Sequence, residues 1–293
     1  MIHMIDQMAR GLGFEGARPV NTEDFNGTYL VLVTRCDKTA EPGSGTGFVS
    51  HYYAASNSAY HRTRELANKL NERQIAAKAH PGADIKRLMV AAGWGRYGKN
   101  SLVYSPRYGS YMAGSVIALQ TRLDIAATQE NAEILLDCGD CVRCVQACPT
   151  GALDGQGRVN PLQCLRWYES HPEKMPAAIR EKMGRRILGC EICQKCCPRN
   201  AHIAQKAYGE KERRMWNIAR LLQMDDASLP EIADTIGSNY AARSKLRALA
   251  ALAAAADDDT ENLQMLEKAA QDASGAVSEL AAWALGKRKH LAK

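Results

Sequence analysis

Ten cysteines occur in the 293 residues; nine of them lie between Cys138 and Cys197, leaving Cys36 by itself. A disulfide framework spreads its cross-links over a fold. Here two thirds of the chain is almost without cysteine, so the cluster points to metal or redox chemistry. Any fold for this chain must bring one short, thiol-rich stretch together around inorganic ligands.

The first run is Cys138-Gly-Asp-Cys141-Val-Arg-Cys144-Val-Gln-Ala-Cys148-Pro149. Its C-x2-C-x2-C-x3-C-P spacing is that of bacterial [4Fe–4S] proteins, in which the fourth cysteine ligates the other of two clusters. A short turning loop wraps three thiolates around one corner of a cube, and the fourth, at the start of a helix, points away. The second run is Cys190-Glu-Ile-Cys193-Gln-Lys-Cys196-Cys197-Pro198. Its terminal Cys-Pro mirrors the first, which makes Cys197 the crossover ligand to Cys138, Cys141 and Cys144. Cys148, Cys190 and Cys193 then lack one ligand, which Cys164 supplies, with Cys196 spare. The competing assignment makes Cys196 the ligand and Cys164 the spare; the spacing favours the first, since only it pairs both Cys-Pro units symmetrically. Structural zinc also uses C-x2-C pairs, but it has no use for a closely spaced triplet followed by Pro. Two clusters with no obvious nucleophile nearby make an electron relay.

The remaining composition is that of an ordinary globular protein, with 46% hydrophobic and 24% charged residues. The longest apolar run, Ala248 to Ala256, is far short of the roughly 20 residues of a membrane span. Asp6 and Arg10 interrupt the N-terminal segment, so it does not read as a signal peptide. A cytoplasmic protein with no membrane partner is expected.

Along the chain, residues 1–20 suggest a short helix and a turn at Gly11 and Gly13. Thr28 to Thr34 is a continuous β-branched run, read as a buried strand. Glu41 to Gly47 reads as a flexible loop; its glycines lack the Gly-Lys-Ser/Thr ending of a phosphate loop. Helices are expected over Tyr60–Lys78 and Ile85–Ala92, the second ended by Gly93. Ala92 to Asn100 carries three glycines in six residues, allowing close approach of a ligand or another backbone, and leads into a strand at Ser101–Tyr104. From Tyr240 onward the chain is Ala-rich and helical over 240–256, 261–271 and 276–286, resembling a HEAT-type arrangement. The expected fold class is α+β in three parts: an α/β domain over 1–130, a ferredoxin-like double-cluster domain over 131–205, and a helical domain over 206–293.

The net charge of +6 is mild, but its distribution is uneven. Arg199, Lys206, Lys211, Arg213, Arg214 and Arg220 precede Arg243, Lys245 and Arg247 on one helix, and Lys287, Arg288, Lys289 and Lys293 end the chain. Such a set can hold a phosphate backbone, although charge by itself favours a solvated face.

These pieces together resemble the epoxyqueuosine reductase family, cobalamin and iron–sulfur enzymes that act on tRNA. The resemblance runs from about residue 28 to the C-terminus. It is carried by Ser58-Ala-Tyr-His61, Ala92 to Asn100, Tyr108-Gly-Ser-Tyr111, both cysteine runs with Cys164 between them, Ile187 to Cys193, Arg243 to Ala250 and Ala281 to Gly286. It implies an N-terminal cobalamin domain, a ferredoxin-like domain and a HEAT-like tail that helps hold tRNA. Its ligand sets are Cys138, Cys141, Cys144 and Cys197 on one cluster and Cys148, Cys164, Cys190 and Cys193 on the other. It places cobalamin contacts at Tyr60, His61, Gly93, Gly95, Gly98, Lys99, Asn100, Tyr108 and Ser110. The resemblance implies base-off cobalamin, and the chain lacks the Asp-x-His-x-x-Gly motif of a protein histidine ligand to cobalt, which is compatible with that state without arguing for it.

Two departures stand out. The family's Val-Asp-Thr-Gly segment, whose Asp is the proposed proton donor, corresponds here to Ala77-Lys-Ala-His-Pro-Gly82, so the acid's place falls on Ala79 or His80; of the two, His80 can donate a proton and is the candidate catalytic residue. The family's Asp before Tyr-His is Ala59. The resemblance implies an oxidoreductase that takes electrons from a reductant such as ferredoxin or flavodoxin, through two clusters to cobalamin, to reduce a substrate such as epoxyqueuosine in tRNA. The alternatives are a paralogue without the tRNA reaction, transferring electrons or reducing another small molecule, and a binding protein in which clusters only staple the fold.

Overall fold

The structure is a computed structural model that describes residues 1–125 and 138–291, with side chains described as far as Arg288. The junction expected at 130/131 lies outside the described residues, as do the side chains of Lys289 and Lys293.

The strand Thr28–Arg35 is the centre of a four-stranded sheet in the order Ala17–Val20, Thr28–Arg35, Met112–Leu119, Ala77–Ala79. Every pairing is antiparallel, and Thr28–Arg35 runs in continuous register from Thr28 opposite Leu119 to Arg35 opposite Met112. Its unbroken apolar run is explained by burial on both faces. Leu30 and Leu32 pack with Ile117 and Leu119 beneath the helices Ile2–Gly11 and His51–Glu72, through Ile5, Ala9, Leu66 and Leu70. Val31 and Val33, one residue out of phase, pack with Val116 against Leu88 and Met89 of the helix Ile85–Ala91 and against Trp94.

The long helix begins at His51 rather than Tyr60, because the Ser50 hydroxyl accepts the Tyr52 amide (3.2 Å) and caps it. It ends at Glu72, and Lys78 belongs to the strand Ala77–Ala79. Ile85–Ala91 ends at the positive φ of Gly93 (68°), as its sequence suggested. The strand expected at Ser101–Tyr104 is shorter, Val103–Tyr104, hairpinned with Arg96–Tyr97.

The cysteine-bearing segment and the C-terminal helices share one hydrophobic core. Leu165, Met183, Ile187 and Leu188 pack with Trp216, Leu222, Leu249 and Leu252. Arg243–Ala255, Thr260–Ala269 and Gly275–Leu291 form the expected helical tail. Arg243–Ala255 sits in the middle of this core, and its run of small alanines lets the neighbouring helices approach closely.

The loop from Glu41 to Gly47 is not a flexible linker. Buried Asp257, in the break between two C-terminal helices, accepts the Gly45 amide (3.0 Å), the Ser44 hydroxyl (3.1 Å) and the Asn262 side-chain amide (3.1 Å). Arg185 pairs with the same carboxylate (3.2 Å) and donates to the carbonyls of Pro42 and Gly43. Burial works to raise the Asp257 pKa, but the Asp259 and Gly45 amides, with Arg185 and Ser44, outweigh it and hold the group below the usual carboxylate range.

Candidate iron–sulfur centre and its flanking face

Nine thiols are gathered in the described part of the cysteine-rich segment, and none forms a disulfide. They fall into two electrostatically linked sets. Cys144 senses Cys196, Cys197 and Cys138, and Cys197 senses Cys138 and Cys141. Cys193 senses Cys190 and Cys164, while Cys164 senses Cys148. Cys144 also neighbours Cys193, so the two sets adjoin. Among the described residues, no three His, Cys, Asp or Glu side chains converge as ligands of a single ion. A cuboidal cluster, with one thiolate per corner, asks for a wider ring.

The first set rings a cavity of about 300 Å³ lined by Cys138, Cys141, Cys144 and Cys197. The rest of its wall is Arg143, Pro198 and Arg199 from the same segment, with Gly98, Lys99, Asn100, Tyr104 and Ser110 from earlier in the chain. Lys99 donates its backbone N–H to Cys138 Sγ (3.5 Å) and its ammonium to the Gly139 carbonyl (2.6 Å). The Asn100 side chain donates to the Cys193 carbonyl (3.3 Å). The adjacent Lys99 and Asn100 thus grip both cysteine runs. Ser110 is bound through its amide by Asn200 Oδ1 (2.8 Å), and its hydroxyl meets Gln194 and Asn200.

Burial pushes the Cys144 and Cys190 thiols each up to about 11, and the Cys193 thiol further still. Such thiols ionise when a cation arrives to share the charge. Cys148 differs: burial raises its pKa, but the Thr150 hydroxyl and amides of Thr150, Ala152 and Gly151 outweigh that and lower it. Cys196 lies next to Cys197 and senses Cys141, yet it does not line the cavity; its thiol donates to the Cys193 carbonyl (3.6 Å).

Glu191, inside the second run, is almost fully buried and joins this segment to Thr39, Ser50 and Tyr111 from the earlier part of the chain. Its carboxylate accepts the Thr39 hydroxyl (2.7 Å) and amide (3.2 Å), the Ser50 hydroxyl (2.5 Å) and the Tyr111 hydroxyl (3.4 Å). Gly189 precedes it with φ 89°, and a Cβ there would stand 2.4 Å from that of Ser50. Sequence reasoning passed over Glu191; its one signal was a charged residue between two ligand candidates.

Beside the second set lie two cations, Arg166 and Lys86, and the exposed ring of Tyr52. Arg166 stacks over Tyr53 (4.9 Å) and lies 5.9 Å from the exposed Tyr52 ring. Lys86 senses Arg166, Cys164 and Cys193, and its ammonium donates to the Ser101 carbonyl (2.8 Å). His80 stacks on exposed Tyr60 (4.3 Å, 12°), and its Nε2 lies 3.1 Å from the Tyr60 carbonyl. Nε2 therefore donates, and Nδ1 is the atom that can take up and return a proton. Partial burial lowers the His80 pKa, favouring neutral imidazole at pH 7.

The residues expected to contact cobalamin are divided by the structure. Gly98, Lys99, Asn100 and Ser110 line the thiol-ringed cavity. Gly93 accepts Arg18 through its carbonyl (2.6 Å), Gly95 packs on the Tyr104 carbonyl, and the Tyr108 hydroxyl donates to Glu15 (2.7 Å). Tyr60 and His61 lie on the exposed side of the long helix.

Residues 137–200 match the 4Fe–4S double cluster binding domain. The chain is 40% identical over 150 residues to an epoxyqueuosine reductase of Lactococcus garvieae, covering 50% of this chain and 41% of that protein. It is 29% identical over 229 residues to one from Staphylococcus aureus, covering 75% and 58%. The chain is a relative of the epoxyqueuosine reductases. It spans about half the length of the curated relatives it matches. Solved epoxyqueuosine reductases share its fold: that of Streptococcus thermophilus superposes with a TM-score of 0.77 at 20% identity, over 97% of this chain and 89% of that one. Another, solved with an epoxyqueuosine-modified tRNA stem loop, has a TM-score of 0.79 over the same shares, at 20% identity.

Proposed function

We propose that the chain is an iron–sulfur oxidoreductase that passes single electrons through two [4Fe–4S] clusters to a corrinoid, to reduce epoxyqueuosine in tRNA or a close analogue. The observation that supports this most is the ring of four thiols closed by the N-terminal domain, with a second, deeper set adjoining it. Cys138, Cys141, Cys144 and Cys197 would hold one cluster, and Cys148, Cys164, Cys190 and Cys193 the other. The donor chemistry fits: eight cysteines in two adjoining sets, one of them around a compact cavity. The clusters supply reversible one-electron storage when bound. The chain's own part is to keep water and stray donors from them, through Leu165, Glu191 and the Gly98–Asn100 tripeptide.

A corrinoid does not fit the cavity of about 300 Å³, at the low end for ligand pockets, because the thiols ring it. The residues suited to a flat macrocycle are those of the open face: Tyr52, Tyr60 and His80 for stacking, Lys86 and Arg166 for its polar side chains. A corrinoid bound there supplies low-potential reduction. Beside it, His80 Nδ1 would deliver the proton that an opened epoxide needs.

Nucleic-acid binding would use Lys211 and Arg214, each 67% exposed, and Arg220, three cations that share the single carboxylate of Glu231. Arg243 and Arg247 are less available. Arg247 donates to the Leu222 carbonyl and pairs with Asp272 (2.5 Å), and Arg243 donates to the Met224 carbonyl.

A second reading, a paralogue reducing another small molecule, is favoured by His80 standing where the resemblance expects an acid. Anaerobic reconstitution tests both. Eight irons, a cobalamin-dependent spectral change and turnover of epoxyqueuosine in tRNA are expected; eight irons without turnover leave the paralogue. Failure to hold iron refutes both.

A further inference from the structure

The two thiol sets differ in their surroundings. The second is flanked by buried Gly189, Glu191, Leu165 and Ala152, with exposed Leu162 and Gln163 on the side that precedes Cys164. The first is carried by a loop whose other residues, Gly139, Asp140, Val142 and Arg143, are exposed, and Pro198 beside Cys197 is exposed too. Val142 is 40% exposed and stands beside exposed Arg143. Three cations line this same cavity: Lys99, Arg143 and Arg199. Asp140 is the one carboxylate in the 138–144 loop. Cationic side chains around a small apolar tip favour encounter with a negatively charged partner and steer it.

We infer that this tip is the electron-entry surface, docking a small, acidic, low-potential one-electron donor protein against Val142, Pro198 and the rim of Lys99, Arg143 and Arg199. The inference rests on the cluster reading above. One electron leaves the donor and one enters the first cluster; no bond forms or breaks and no proton is required. The second set, next to Lys86 and Arg166, is then the exit.

The test uses the reconstituted full chain, with an acidic plant-type ferredoxin as donor and methyl viologen as a cationic comparison. Arg143→Glu should weaken ferredoxin binding at least tenfold by calorimetry, and lower the ferredoxin-to-viologen ratio of cluster bleaching rates by a similar factor. Arg143→Gln should lose about threefold, and wild-type binding should fall as salt rises from 50 to 300 mM. Carbodiimide cross-links from donor carboxylates should fall on Lys99. Reduction by methyl viologen in the absence of any ferredoxin effect of either variant overturns the inference, as do cross-links to Lys211 instead of Lys99. Clusters that neither donor reduces overturn the relay itself, a distinguishable failure.

Discussion

Removing the Glu191 carboxylate should loosen the second cysteine run from the N-terminal domain. Two of its bonds, from Thr39 (2.7 Å) and Ser50 (2.5 Å) hydroxyls, are short, and each carboxylate bond of this kind contributes about 1.5–3 kcal/mol. The Thr39 amide at 3.2 Å adds a weaker one. Glu191→Ala also strands buried donors of Thr39 and Ser50, while relieving the desolvation of a carboxylate that is 3% exposed. The expected net loss is about 3–5 kcal/mol. For a chain of this size that corresponds to a fall in Tm of roughly 6–20 °C, at some 2–4 °C per kcal/mol. Glu191→Gln keeps one acceptor and should lose about half as much. Thermal and urea denaturation of the reconstituted protein, with iron counted on the same samples, give the answer. Glu191→Ala should also shed the second cluster faster under chelator, since Cys190 and Cys193 flank the lost anchor. A loss below about 1 kcal/mol with unchanged iron retention would refute the assignment of Glu191 as the tie between the two parts.

Further outcomes can be checked alongside. Cys196→Ala should retain eight irons whereas Cys164→Ala should retain about half, by iron and sulfide analysis. Asp257→Ala should destabilise the fold by about 3 kcal/mol, and Arg247→Ala by about 2, both measured by urea denaturation, because each breaks a partly buried ion pair with hydrogen bonds attached. Burial raises the Glu169 pKa to about 7, against Arg166, the Gly189 amide and Tyr53, which lower it. A folded-state pKa above the unfolded value of 4.5 favours the protonated form, so stability should fall as pH rises from 4.5 through 7. Glu169→Gln should flatten that profile in the metal-free protein. If His80 is the proton donor, its lowered pKa puts its acid form below neutrality, so turnover should rise as pH drops toward 6, and His80→Ala should abolish that rise.

The sequence was most informative where chemistry demands a spacing. Both cysteine runs, the buried strand from Thr28 and the Ala-rich helices are readable because ligand geometry, β-branching and helical periodicity act locally. What stayed hidden depends on residues far apart in the chain. Glu41–Gly47 has the composition of a flexible loop, yet its order comes from Asp257. Gly98, Lys99 and Asn100 suggested a ligand pocket; their partners, Cys138 and Cys193, supply a different reason for the same composition. The extra turns at the start of the long helix depend on Ser50, whose capping hydroxyl is easily mistaken for a loop residue. Basic residues on Arg243–Ala255 read as a surface, while the structure spends Arg247 on holding helices together.

The shared wall of the first thiol ring bears on how such a chain can be taken apart. Residues 98–100 and 110 close that ring from outside the matched double-cluster segment. A fragment cut at the segment's boundaries would carry every thiol and still lack a side of its own container. The cysteine stretch is therefore no transferable cassette: its cofactor-holding capacity is a property of the folded whole, and insertion of iron should follow docking of the two parts rather than precede it.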